Sequence, residues 1–357
     1  MESTSRLKQP PWRPRSVEAA GWMVVIALIL TVVWAGKDLF IPLVIALIGV
    51  YLIKVLERWI SCIKIGGRSL PQSISLLFAF VSVIALSYVL FSIIADNAMR
   101  VAEMTPKYHT RIVAIQGKVF QLIGTEQPPA MRQFLGSLDI PGLLALVATN
   151  LAGLLKTTTL IIVFAVFLLL ESRFIPSKIE ALFPGDSRRD RVRAMLRRID
   201  HDIQTYFGVK TAVSLVTALL SYAVMRAVGL DFAAFWALLV LILNFIPTIG
   251  SILATILPGL LALVQFESWT PFVILVIGIT VIQQTLGSFI EPNLMGMTLN
   301  LSPLVVVISL MLWGMLWGVV GMFLCVPITV IMVIILANFP GTRWVSVLLS
   351  KEGKIQV

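Results

Sequence analysis

The sequence predicts an all-α, polytopic helical membrane protein with two re-entrant helical hairpins and a small extramembrane helical domain. Three observations carry that expectation. Of 357 residues, 58% are hydrophobic and only 13% are charged, against about 25% charged in soluble domains, so most of the chain is matched to lipid rather than water. The apolar stretches are continuous, as in "FLCVPITVIMVIIL" at 323–336. A barrel strand would instead alternate apolar and polar residues over about 10 positions, and helices are the other way to satisfy backbone polar groups in a bilayer. Two of the apolar stretches are too long for one crossing and carry helix-breaking residues at their centres.

Each element follows in order. Residues 1–18, "MESTSRLKQPPWRPRS" and two more, hold four basic residues and three prolines and read as a cytoplasmic tail. Ala19–Gly36 is uncharged and follows a basic segment, as a signal peptide would. The next apolar run, Leu39–Ile53, comes so soon that an uncleaved helical hairpin fits better. Ser69–Ala95 supplies 27 uncharged residues and completes an N-terminal membrane section over 19–95. Residues 96–150 are polar, contain "TEQPPA", and read as an extracytoplasmic domain of short amphipathic helices. A membrane helix at 151–170 follows.

Residues 171–204 carry eight Lys/Arg and six Asp/Glu. Asp186 or Ser187 can cap a helix there. Val192, Leu196, Ile199 and Ile203 recur at helical spacing on one apolar face, and six arginines between 188 and 198 cover the remainder. The pattern predicts an amphipathic helix on the cytoplasmic surface, with membrane lipid as its partner. The net charge of +10 does not point to nucleic acid, because acids interleave the arginines and no base-stacking aromatics accompany them. A span at about 207–228 opens a transport core over 205–338, and a cytoplasmic tail occupies 339–357. The 1–18, 54–68, 171–204 and C-terminal segments hold most of the 28 Lys and Arg, which places both termini inside.

Phe232–Phe266 is 35 uncharged residues interrupted by "NFIPTIGS". Pro292–Thr342 is 51 uncharged residues interrupted by "WGMLWGVVG", whose Gly314, Gly318 and Gly321 mark a hairpin turn. If each folds back, the chain has six complete spans; if each half crosses, it has ten. The halves are short for full crossings. Broken backbone at membrane depth is tolerated where protein covers it or where it lines a watery cavity, and in secondary transporters such breaks form substrate sites.

Several of these segments resemble a known family. "LNFIPTIGSILATILPGLLAL" (243–263), "IEPNLMGMTLNLSPLVVVISLMLWG" (290–314), "LWGVVGMFLCVPITVI" (316–331), "YFGVKTAVSLVT" (206–217) and "FIPLVIALIGVYL" (40–52) are similar to signature segments of the autoinducer-2 exporter family. Members often carry an Asn-Pro pair near the end of the second span, where this chain reads "YLIKVLERW" with Lys54. The resemblance implies a bacterial cytoplasmic-membrane transporter for a small-molecule substrate, either exporting the quorum-sensing furanone autoinducer-2 or exchanging sodium or lithium for protons. It also implies re-entrant hairpins, a homo-oligomer of five subunits and an elevator-like motion.

The chemistry of the residues agrees with a transporter rather than an enzyme. No G-x-x-x-x-G-K-[ST] or H-E-x-x-H sequence is present, and His109, His201, Cys62 and Cys325 form no metal or catalytic set, so neither cofactor nor metal is expected. Polar residues within spans are the functional candidates. Asn244, Pro247, Thr248, Gly250 and Ser251 lie at the first break. Gln283 and Gln284 face directions about 100° apart on a helix, so one of them is expected on the substrate path. Glu291, Pro292 and Gly296 end the same segment. Glu291 reads either as a proton or cation carrier or as a charge marking the membrane edge. Thr255, four residues from Ser251, is expected to bond its own backbone. A neutral polyol suits amides and hydroxyls; a cation would want carbonyls and the Glu291 carboxylate.

Overall fold

The computed structural model describes residues 15–61, 64–65, 68–69, 74–85, 158–183, 186–295, 300–339 and 341–351, with a few isolated positions besides. The expected 96–150 domain and Gly296 lie outside the described residues. Helix α1 (Arg15–Ala35) turns at Gly36 into α2 (Lys37–Ser61). A two-residue antiparallel ladder joins β1 (Lys64–Ile65) to β2 (Arg68–Ser69). Then come α3 (Ile74–Ala85) and α4 (Thr158–Ser172), the latter bent by 58° into α5 (Ile175–Leu182). The two runs expected before residue 54 thus form two helices joined at Gly36. Its N–H donates to the Val32 carbonyl and its carbonyl accepts from the Phe40 N–H, so helical bonding runs across the junction and no hairpin reversal is seen there. Helix α2 continues through Lys54 unbroken, as the missing Asn-Pro pair allows. Lys54 Nζ sits 4.0 Å from Asp200 and 5.8 Å from the centre of the Tyr51 ring.

Helix α6 (Asp186–Val228) has 43 residues and no proline, about 65 Å of continuous helix. The amphipathic segment and the following span are therefore one helix, with no break at residue 204. Of the predicted apolar face, Ile199 and Ile203 are buried in the main core, whereas Leu196 stays 36% exposed. Further along, the polarity inverts. Lys210, Ser214, Thr217 and Ser221 recur at helical spacing and are all buried, while Leu215, Val216, Leu219 and Leu220 are exposed. Helix α9 (Trp269–Gln284) likewise turns Trp269, Val273, Ile277 and Val281 outward, one position every four. Polar side chains inside and an apolar belt outside suit a lipid surrounding.

Helices α7 (Ala233–Leu243) and α8 (Ile249–Gln265) form a closed hairpin. The Gln265 side chain accepts from the Asp231 backbone N–H and donates to the Gly229 carbonyl, both at 2.8 Å, so the segment's two ends lie together. At the tip Thr248 takes φ +60°, a conformation that non-glycine residues adopt reluctantly. A Cβ on Gly250 would stand 1.7 Å from the Leu243 carbonyl oxygen, so only glycine closes this turn.

Helix α11 (Pro303–Asn338) also folds back on itself. Thr329 Oγ1 donates to Ser309 Oγ at 2.9 Å. Twenty residues of straight helix would hold them about 30 Å apart. The reversal is at Gly318, φ +64° and ψ −140°. A Cβ on Gly321 would meet the Trp313 carbonyl oxygen at 1.8 Å, and one on Gly314 would meet Met322 at 3.0 Å, so the three glycines make the turn expected of them. Among the described residues four helices are long and apolar enough to cross a membrane, or five if the bent α4–α5 pair is one span. One of the four is α11, whose length is that of a hairpin rather than of a single rod.

The two tips meet. Phe245, beside the first break, stacks on Phe323 of the second hairpin with centroids 4.7 Å apart and planes at 22°. Tyr206 and Phe207 of α6, Ile246, Trp313, Trp317 and Leu324 complete the core around them. Trp317 Nε1 donates to the Val33 carbonyl of α1 at 3.1 Å. A second core of Met225, Leu230, Phe235, Trp236, Leu275 and Ile279 seats the first hairpin on α6 and α9. Helix α12 (Arg343–Leu349) is the last described helix.

Two outcomes follow from the hairpins. Gly250→Ala is expected to lower the melting temperature in detergent, because backbone must move to admit the methyl group. Gly49→Ala, which meets open space, leaves it unchanged or raises it slightly, as a stability gain of ~0.4–1 kcal/mol for a tolerated Gly-to-Ala change implies. In a cysteine-free background, Ser309→Cys with Thr329→Cys forms an intramolecular disulfide on mild oxidation, read as a mobility shift on a non-reducing gel that dithiothreitol abolishes. A straight α11 would give none.

Candidate functional site

The first hairpin tip, the lower part of α6 and the end of the α9 segment converge on a cavity of about 1000 Å³, at the upper end of the range for small-molecule sites. Its character comes from the α9 segment, where the helix widens into a π turn at Thr285–Ile290 and then resumes as α10 (Glu291–Met295). Such π turns are frequent at functional sites. Thr280, Gln283, Gln284, Gly287, Ser288, Glu291 and Pro292 of this segment all line the cavity. Both glutamines do so, not one. The cavity wraps around this flank of the helix, so two directions about 100° apart both open on it. Gln283 Nε2 is buried there without a hydrogen-bond partner among the described residues.

From the first tip, Asn244, Pro247, Thr248 and Ser251 line the same space. The Asn244 amide donates to Ser214 Oγ of α6 at 2.9 Å, which ties the break to that helix. Ser251 and Thr255 donate to the carbonyls of Thr248 and Ser251, at 2.8 and 3.1 Å, so Thr255 bonds its own backbone as expected and their hydroxyl oxygens remain acceptors. Gly250 is buried beside the cavity and outside its lining; its part is to close the tip. Gly314, Gly318 and Gly321 are likewise absent from the lining, and the second hairpin contributes Val306 and Val326.

The sequence reading passed over the residue that Glu291 faces. Lys210 Nζ donates to Glu291 Oε1 at 2.7 Å, with the two side chains only 9% and 15% exposed. Glu291 is thus one half of a buried ion pair between α6 and α10, and not a solvated edge charge. The signal was available: Lys210 is the one charge between Gln204 and Arg226, and an ionisable residue inside a span marks a functional site whose partner should be sought. Tyr206, one turn before it, also lines the cavity. No group of three His, Cys, Asp or Glu among the described residues could hold a metal ion.

Comparison with known proteins points the same way. A sequence profile described as AI-2E family transporter matches residues 23–341. The chain is 35% identical over 212 residues to the AI-2 transport protein TqsA of Escherichia coli K12, 59% of this chain and 60% of that relative, so it spans three fifths of that protein's length. It is 25% identical over 328 residues, 91% of each chain, to the putative transport protein YhhT of the same strain. A putative transport protein of Haemophilus influenzae is 29% identical over 287 residues, 77% of this chain and 81% of that one.

Removing one member of the buried pair leaves the other charge uncompensated. Lys210→Met is expected to destabilise the protein by about 3 kcal/mol, measured by unfolding in mixed micelles. Adding Glu291→Gln restores most of that loss. Equal losses that simply add would show that the two side chains do not interact.

Proposed function

The chain belongs to the AI-2E transporter family, and from that premise we propose that it is a secondary exporter of a small polar signalling molecule such as autoinducer-2. The observation that carries this reading is the cavity itself. Amide and hydroxyl groups from the broken hairpin and the π turn surround a charge pair that is already neutralised. A polyol or hydroxycarbonyl compound can exchange hydrogen bonds with the Asn244 carbonyl, the glutamine amides and the Ser251, Thr255 and Ser288 hydroxyls. The AI-2 transport activity named for the Escherichia coli relative supports the same substrate class. A sodium or lithium antiporter fits less well. A monovalent cation would have to bind beside Lys210 and take the Glu291 carboxylate from it.

In this reading both termini are cytoplasmic and the two hairpins are re-entrant from opposite sides, the first from outside and the second from inside. The cavity then opens toward the cytoplasm, the side from which an exporter loads. The apolar belt faces lipid and neighbouring copies of the chain in a homo-oligomer. Transport proceeds without nucleotide, because the sequence has no phosphate-binding loop.

Proteoliposomes containing the purified protein test the proposal. Autoinducer-2 is expected to cross faster than in protein-free vesicles, and absence of any such flux sinks the substrate assignment. Asn244→Ala is expected to slow flux about tenfold, near the ~1.4 kcal/mol of one well-placed hydrogen bond, with insertion and oligomer size unchanged. Unimpaired flux would remove Asn244 from the path. Val319→Cys, next to the second tip, should resist an impermeant thiol reagent applied outside. Rapid outside labelling would indicate two complete crossings instead.

A further inference from the structure

The cavity has a third charged residue, and it comes from the far end of the chain. Helix α12 packs against α11, and the strand-like residues after it clasp the segment that leads into the second hairpin. The Ser302 N–H donates to the Leu349 carbonyl at 3.1 Å, the Lys351 N–H donates to the Asn300 carbonyl at 3.0 Å, and Leu301 bridges Ser350. Ser346 and Ser350 are buried, so this strap is seated rather than draped. It holds Lys351 in the cavity lining beside Asn300 and Leu301. The side chain is exposed, as a residue at a mouth must be.

The charges of the described lining therefore do not balance. Lys210 and Glu291 cancel, and Lys351 is left as an excess cation. We infer that Lys351, presented by the C-terminal strap, is a specificity-determining residue that selects a polyol bearing an anionic group. The polyhydroxylated part lies among the amides and hydroxyls, and the oxyanion lies at the mouth. This deepens the exporter reading and rests on it for the location of the substrate. A water-exposed lysine gives a modest preference: two unit charges at contact distance in water change an equilibrium roughly fivefold. It also raises the local concentration of anions and repels cations at the entrance.

The test is equilibrium binding rather than flux, so that it can fail independently of the exporter assignment. Calorimetry on the purified full-length protein, in neutral detergent at low salt, compares ribose, ribose 5-phosphate and ribonate. The two anions are expected to bind roughly fivefold more tightly than ribose. Lys351→Gln abolishes that preference and Lys351→Glu reverses it, at unchanged melting temperature. The inference is overturned if the three sugars bind equally, if none binds, or if the preference persists in Lys351→Gln. It is also overturned if only phosphatidylglycerol added to the micelles responds to the substitutions, which would make Lys351 a lipid contact. An exporter that moves autoinducer-2 yet shows no anion preference would keep the exporter reading and lose this one.

Discussion

Backbone that leaves helical geometry in an apolar surrounding must be covered by protein, and that constraint organises this molecule. Two long apolar segments are interrupted, one at residues 244–248 and one at Gly318. Asn244, Phe245 and Ile246 at the first are packed against neighbouring helices, whereas Gly318 at the second is exposed between Met315 and Val319. Residues flanking the two breaks pack on each other and on α6, through Phe245 on Phe323 and Asn244 on Ser214. Because the tips cannot be fully buried without leaving polar groups stranded, one side of the first tip opens on a cavity. To that cavity the break contributes Asn244, Pro247, Thr248 and Ser251, opposite the glutamines and Ser288 of the α9 segment.

The buried pair of Lys210 and Glu291 follows from the same geometry. A lysine buried near the start of a span needs a counter-charge within reach, because an isolated charge in low dielectric is costly. The carboxylate that answers it is 81 residues away in sequence. It arrives at the right depth because the π turn resets the helix just before Glu291. Without that turn the face carrying Glu291 would rotate away from α6. In the proposed reading the pair also bears on the choice of cargo. A carboxylate already satisfied by lysine offers little to a free cation, while the amides and hydroxyls beside it remain available to an uncharged polar group.

Much of this was legible in the sequence, and what was not has physical causes. The helical class, the two fold-back points and the glycines at the second turn were written in composition and in helix breakers, which act locally. Asn244, Pro247, Thr248, Ser251, Glu291 and Pro292 were found because polar or helix-breaking residues stand out in an apolar run. Lys210 was missed although it stands out as much, because its meaning depends on a partner across the fold. The π turn left no sequence mark; "TLGSFI" reads as ordinary helix. Both Gln283 and Gln284 reach the cavity because it wraps around that flank of the helix, a shape that no local pattern records. The join between the amphipathic segment and the span at residue 204 was also invisible, since a change of polarity does not require a change of backbone. The placement of Lys351 in the cavity lining depends on a clasp between residues nearly 50 apart, which no local pattern announces.

The central claim is that the space between the first hairpin tip and the π turn receives the transported molecule. Thiol labelling measures this directly. In a cysteine-free background Ser288→Cys places a reactive group on the cavity wall, and Ser268→Cys places one outside it, at the start of α9. Saturating autoinducer-2 is expected to slow modification at position 288 by a small methanethiosulfonate and to leave position 268 unaffected. Equal modification rates with and without autoinducer-2 at position 288, in protein that transports it, would show that the molecule passes elsewhere.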